Sequence, residues 1–132
     1  MNREYTVEEF NEVCDFLKAE MPHMTLATDI ICGFPTESAE HHKETCDLVR
    51  RHQFPVLNIS QFYPRPGTVA AKWKQIDTKE KKSRSGDVTD IFNSYVTNEH
   101  YIDSEQLVWI MGYDDRQKKA KVVQEGAEVP LP

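Results

Sequence analysis

Thr28-Asp29-Ile30-Ile31-Cys32-Gly33-Phe34-Pro35-Thr36-Glu37 is an apolar, β-branched run that stops in a Gly-Pro turn. The run from Met24 to Ile31 carries only Asp29 as a charge, and apolar character on both faces suits a parallel strand covered by helices. A second segment repeats the pattern. Pro55 opens a strand expected over 56–63, and Pro64, Pro66 and Gly67 stop it. Between them Ser38 is a plausible N-cap for a helix from Ala39 to about Gln53, with Cys46 and Val49 on its inner face. Strand, helix, strand is a β-α-β unit, and functional groups then gather at the carboxyl ends of the parallel strands.

Upstream, Thr6-Val7-Glu8-Glu9 is a capping box. Phe10, Cys14, Leu17 and Met21 follow at helical spacing, widened by Val7 and Val13, and Pro22 marks the stop. Downstream, a basic stretch from Lys72 to Arg84 reads as a linker. Val88, Ile91, Phe92 and Tyr95 then suggest a third helix with Gly86 weakening its start. Gln106 to Met111 resembles a strand, Gly112 to Lys119 a polar loop with Asp114-Asp115 as a turn, and Ala120 to Gln124 a partner strand. The tail Val129-Pro130-Leu131-Pro132 is expected to be loose.

The fold class is therefore α/β, in the order helix, strand, helix, strand, helix, followed by a hairpin-like β piece. Two strands do not make a stable open sheet with both faces covered. The 132 residues read as a cut-out of a larger barrel-like domain, with Met1 expected to be an internal methionine. The expected division is a barrel part over 1–98 and a β segment with its tail over 99–132.

Composition narrows the function. No apolar run is long enough to span a bilayer, and the first twenty residues, with Arg3 and six acids, lack the apolar core of a signal peptide. Three widely spaced cysteines, Cys14, Cys32 and Cys46, argue against a disulfide framework and for a reducing, cytoplasmic setting. Net charge is −6, yet residues 61–86 hold seven basic and two acidic side chains. Such an island is compatible with a phosphate contact, although charge alone favours a solvated linker. His42 and Cys46 lie four apart, but no second ligand pair accompanies them, so a helix with a buried Cys is the better reading than a metal site.

The two strand-end segments resemble signature stretches of the radical S-adenosylmethionine methylthiotransferases that modify tRNA, and most closely the branch acting on threonylcarbamoyladenosine. Met1 to Thr6 resembles the start of the helix before that family's fifth barrel strand. Thr28 to Pro35 looks like that strand, and Phe62 to Ala71 like the sixth strand and its loop. Arg84-Ser85 with Ile91-Phe92 and Tyr95 resembles the last barrel helix, and Ser104 to Lys121 the start of the tRNA-gripping TRAM module. There are departures: Thr36 stands where a glycine is usual, His42 where an aromatic is usual, and Gly86-Asp87 interrupts a charged helical run.

The resemblance implies a partial (βα) barrel of the radical S-adenosylmethionine type. It implies a parent enzyme that adds a methylthio group to threonylcarbamoyladenosine beside the anticodon, with S-adenosylmethionine and [4Fe-4S] clusters as cofactors and tRNA as partner. No cysteine pair here has the Cys-x-x-x-Cys-x-x-Cys spacing of the cluster loop, so the chain holds no cluster ligands and no catalytic residue, and is expected to be inactive alone. Attachment of the parent to the endoplasmic reticulum stays open. Candidate cofactor-binding residues are Asp29, Ile31, Gly33, Tyr63 and Arg65. Candidate RNA-binding residues are Arg65, Lys72, Lys74, Lys81, Lys82 and Arg84.

Each has a plainer alternative. Gly33 can serve an ordinary turn. Asp29, placed inside an apolar strand, needs a partner, which a neighbouring loop can supply. Arg65 between two prolines can bind a carboxylate or phosphate, or simply face water. Tyr63 can stack on a base or fill the barrel mouth. Two rival functions remain at this point: a non-catalytic RNA-binding module, and a fragment of an unrelated phosphate-binding α/β barrel.

Overall fold

The computed structural model describes residues 3–22, 24–105, 107–114 and 119–124. The chain forms two units, Met1–Thr97 and Asn98–Pro132.

The first unit runs α1 (Val7–Glu20), β1 (Ala27–Cys32), α2 (Ala39–His52), β2 (Val56–Gln61) and α3 (Thr78–Asn93). Strands β1 and β2 pair in parallel, from Ala27 opposite Val56 to Cys32 opposite Gln61, which makes β1-α2-β2 one crossover unit. Local chemistry explains the ends. Thr6 Oγ1 accepts from the Glu9 amide at 3.2 Å and the Glu9 carboxylate accepts from the Thr6 amide at 2.7 Å. Ser38 caps α2 in the same reciprocal way, with the His41 ring taking the place of the usual Glu. Helix α1 ends before Pro22, with Met21 as its C-cap, because the residue before a proline avoids helical geometry.

The core lies between the sheet and the helices. Val49 of α2, Phe54, Val88 of α3 and Cys32 of β1 are fully buried, joined by Cys14, Cys46, Leu57 and Ile91. The other sheet face is open. Asp29, Asn58 and Ser60 are exposed along it, so among the described residues of the first unit β1 is not covered on both faces. The structure corrects several expectations. The strands are shorter than 24–31 and 56–63. Val7 and Val13 do not widen a buried stripe, being 52% and 55% exposed. The largest correction concerns α3. It begins at Thr78, capped by Asp77, whose carboxylate accepts from the Lys79 amide at 2.8 Å. Most of the basic "linker" is thus helix, and Gly86, expected near a weak helix start, lies in the middle of α3.

In the second unit, β3 (Val108–Asp114) pairs antiparallel with β4 (Lys119–Gln124), with an irregularity between Ile110 and Gly112. Gly112 to Asp114 therefore belongs to a strand, not to the expected polar loop. Met1, Asn2, Gln106, the 115–118 part of the expected turn, and the 125–132 tail lie outside the described residues. No helix among the described residues is long and apolar enough to cross a membrane.

Candidate functional site

Both parallel strands end at one rim of the first unit. Past Cys32 the chain turns at Gly33, where φ is +80°. The Glu37 carboxylate then folds back to accept from the amides of Gly33 and Phe34, the latter at 3.2 Å, while the Glu37 amide donates to Phe34 O at 2.8 Å. The turn is thus closed by a side chain, which is why Thr36 suffices where a second glycine was expected.

Past Gln61, the Phe62 amide donates to Cys32 O at 2.8 Å and extends the ladder by one bond. Arg65 to Thr68 then form a turn, with Thr68 N and Oγ1 both donating to Arg65 O, at 3.2 and 2.8 Å. Pro66 at the second position and a φ of +84° at Gly67 are the signature of a type II turn. No atom lies within 4 Å of where a Gly67 side chain would begin, so this glycine serves the turn and not a close approach.

Between these two ends lies a hollow of about 390 Å³ lined by Ile31, Ser60, Phe62, Tyr63, Arg65 and Thr68 among others. Three of the five residues expected around a cofactor, Ile31, Tyr63 and Arg65, therefore converge. Tyr63 is 74% exposed and Arg65 is exposed as well. An apolar wall, an exposed phenol ring and a guanidinium fork suit a nucleoside-sized ligand bearing an anionic group. That donor set fits the adenosyl and carboxylate parts of S-adenosylmethionine. It offers nothing to an iron–sulfur cluster. All three cysteines are buried, and burial raises each thiol pKa, Cys32 to about 11. Among the described residues no three His, Cys, Asp or Glu gather to hold a metal. The His42–Cys46 approach of 3.7 Å is a weak hydrogen bond.

The remaining candidates fall elsewhere. Asp29 is not buried; it accepts from Asn58 Nδ2 at 2.7 Å across the open sheet face, and it lines a separate hollow beside β1 with Tyr5, Phe10 and Glu44 among its walls. Gly33 is buried and faces the Lys81 side chain, whose Cγ would lie 2.5 Å from an added Cβ. The space beside Gly33, a candidate cofactor-binding residue, is taken by that lysine. Lys72, Lys74 and Lys82 are exposed. Lys81 and Arg84 are 8% exposed each, which corrects their place in a solvated basic run. Lys81 Nζ donates to Phe62 O at 3.1 Å. Arg84 donates to Glu37 O at 2.8 Å and to Glu80 Oε1 at 2.9 Å, and pairs with Glu37 Oε1 at 3.1 Å.

Ser60, Phe62, Thr68 and the capping Glu37 were missed. For Ser60 and Thr68 a signal existed, since each flanks a named candidate in the same strand or turn. Glu37 caps the nearby amides of Gly33 and Phe34, but its pairing with Arg84 arises only from tertiary folding.

No protein-family model matches the chain. Curated proteins do. A Homo sapiens protein named threonylcarbamoyladenosine tRNA methylthiotransferase is 49% identical over 110 residues, 83% of this chain and 19% of its own length. A Caenorhabditis elegans protein of the same name is 44% identical over 95 residues, 72% of this chain and 22% of its own. A Pyrococcus horikoshii protein, named as a probable one, is 43% identical over 114 residues, 85% of this chain and 27% of its own. The chain thus spans about a fifth to a quarter of these relatives. Identity of this level over most of its residues, in animals and an archaeon alike, means that the chain belongs to the threonylcarbamoyladenosine tRNA methylthiotransferase family.

Proposed function

We propose that these residues form the carboxyl-terminal part of a radical S-adenosylmethionine barrel in an enzyme that adds a methylthio group to threonylcarbamoyladenosine beside the tRNA anticodon. The second unit would begin a TRAM module. The observation that carries the reading is the convergence of Ile31, Tyr63 and Arg65 on one hollow at the carboxyl ends of β1 and β2, where α/β enzymes assemble their sites.

In this reading Ile31 and Tyr63 receive the adenosyl part of the cofactor. Arg65 holds a carboxylate or a phosphate, and Lys72, Lys74 and Lys82 face tRNA. Asp29 and Asn58 hold the barrel-facing side of the sheet in register. S-adenosylmethionine and the iron–sulfur clusters supply the radical chemistry and the sulfur, with every cluster ligand coming from outside these residues. The isolated chain is then inactive, and the whole enzyme works in the reducing cytoplasm.

Arg65 decides the matter, because Pro64 and Pro66 stiffen its loop and present its guanidinium at little entropic cost. Arg65→Lys keeps the charge and loses the planar fork. In the longer protein it is expected to cut methylthiolation strongly while folding and cluster content hold. A drop in S-adenosylmethionine affinity of ~1–3 kcal/mol assigns Arg65 to the cofactor; a drop in tRNA affinity alone assigns it to RNA. Wild-type turnover in both Arg65→Lys and Arg65→Ala would refute the site.

A further inference from the structure

The hollow is lined by Ile31 near the end of β1 and by Ser60, Phe62, Tyr63, Arg65 and Thr68 of β2 and its loop; the 33–37 turn begins two residues after Ile31, and the Phe62 amide bonds to Cys32 O where the two strand ends meet. Beside the direct Phe34–Phe62 ring contact, α3 supplies side-chain bonds to both segments. We propose that α3 is the brace of this site, and that Glu37, Arg84 and Lys81 are positioning residues acting through the Gly33–Phe34 turn and the Phe62 carbonyl. The proposal rests on the reading of the hollow as a ligand site.

The geometry is directional. Glu37 has one carboxylate oxygen on the amides of Gly33 and Phe34 and the other on Arg84 Nη1. Arg84 also takes the Glu37 carbonyl, and its Nε is anchored on Glu80 one turn earlier in α3. The 33–37 turn is therefore gripped by main chain and side chain at once. One turn of helix away, the Lys81 stem crosses Gly33 and its ammonium reaches Phe62 O. Phe34 completes the bridge, meeting Phe62 edge-on at 5.0 Å and Trp73 at 5.9 Å. Phe62 both lines the hollow and precedes Tyr63. Helix α3 thus holds the chain just beyond Ile31, at Gly33 and Glu37, and just before Tyr63, at Phe62.

Buried ion pairs add little net stability compared with apolar packing of the same volume. What this pair supplies is a fixed distance between two loops, as the supporting contacts of functional sites do.

The test uses the longer protein that contains this chain, with Glu37→Gln, Arg84→Lys and Arg84→Ala, and Arg65→Ala as the direct-contact reference. Amide hydrogen exchange at Gly33 and Phe34 reads the turn; equilibrium binding reads affinity for S-adenosylmethionine and tRNA. Glu37→Gln keeps the side chain's shape, so it remains decisive where Arg84→Ala does not fold. Expected are faster exchange at both amides and about tenfold weaker binding of S-adenosylmethionine, the low end of what loss of an orienting partner costs. Glu37→Gln combined with Arg84→Lys should add little to either alone, since the pair acts as one unit. Faster exchange with unchanged affinity, while Arg65→Ala weakens binding, would overturn the positioning role and leave the site intact. Unchanged affinity in every variant, Arg65→Ala included, would overturn the site and the brace together.

Discussion

Gly33→Ala isolates the contact between β1 and α3. Two costs follow from the geometry. An L-residue at φ +80° leaves the allowed right-handed region, at about 1–2 kcal/mol. The new methyl would also meet Lys81 Cγ at 2.5 Å, so the lysine stem must swing away. Its ammonium then leaves Phe62 O, and a buried hydrogen bond to a charged group is worth about 1.5–3 kcal/mol. The sum is a loss of about 2.5–5 kcal/mol. In a Lys81→Ala background the second cost is already spent, so Gly33→Ala should cost only about 1–2 kcal/mol. The predicted coupling is therefore ~1.5–3 kcal/mol.

Urea unfolding of the 132-residue chain measures it. Trp73 is the probe, because it packs on Phe34 next to the mutated turn; Trp109→Phe removes the other tryptophan. Equal costs of Gly33→Ala in both backgrounds, within about 0.5 kcal/mol, would mean that Lys81 does not set the turn.

Three further outcomes are expected. His52 is 2% exposed, meets Asn11 Oδ1 at 2.6 Å, and is faced by Lys18 and Asp15 of α1 and by Arg51 of its own helix. Burial, then Lys18, lowers its pKa from 6.5, so its contribution to stability is complete above pH 6.5 and is lost as pH falls through the lower folded-state value; His52→Gln should flatten that part of the stability–pH curve, and an unchanged curve refutes the assignment. Cys32, with its pKa pushed up to about 11 by burial and then by Glu37, should resist iodoacetamide at pH 8 until urea unfolds the chain, and rapid labelling of native protein would contradict its burial. Each of Lys72→Gln, Lys74→Gln and Lys82→Gln should lower the log–log salt slope of tRNA binding by the longer protein by roughly 0.7–0.9; three unchanged slopes would remove this face from the RNA interface.

What could be read from sequence was what local chemistry dictates. Thr6 with Glu9, Ser38, Pro22 and Gly33 mark ends and turns through their own backbone preferences, and the β-α-β order follows from their spacing. Cys46 and Val49 lay on the inner face of α2 as the 3.6-residue period required. The start of α3 was not legible. Thr78 to Arg84 has no apolar period, and its inward groups, Lys81 and Arg84, are polar residues whose partners lie 19 and 47 positions away. Periodicity detects apolar burial and misses a helix face buried through charge. Asp29 failed for the opposite reason. Its apolar neighbours suggested burial, but Asp29 is exposed, with Asn58 beside it on the same sheet face.

These two misreadings concern one feature of the fold. The sheet's inner face meets α2 and α3 through aliphatic side chains along most of its length, yet at the strand ends the contact changes to Glu37, Lys81 and Arg84. A methyl-rich contact there would hold the helix equally well, but it would leave the amides of Gly33 and Phe34 and the carbonyls of Phe62 and Glu37 without these partners. Backbone groups that leave a ladder must be satisfied by something. Glu37 does so for the amides of Gly33 and Phe34, and Lys81 and Arg84 of α3 do so for the carbonyls of Phe62 and Glu37, while Ile31, Tyr63 and Arg65 line the hollow. The division of the basic run follows from this requirement. Lys81 and Arg84 point inward because the strand ends need donors, and Lys72, Lys74 and Lys82 are left outward, where charge acts at long range.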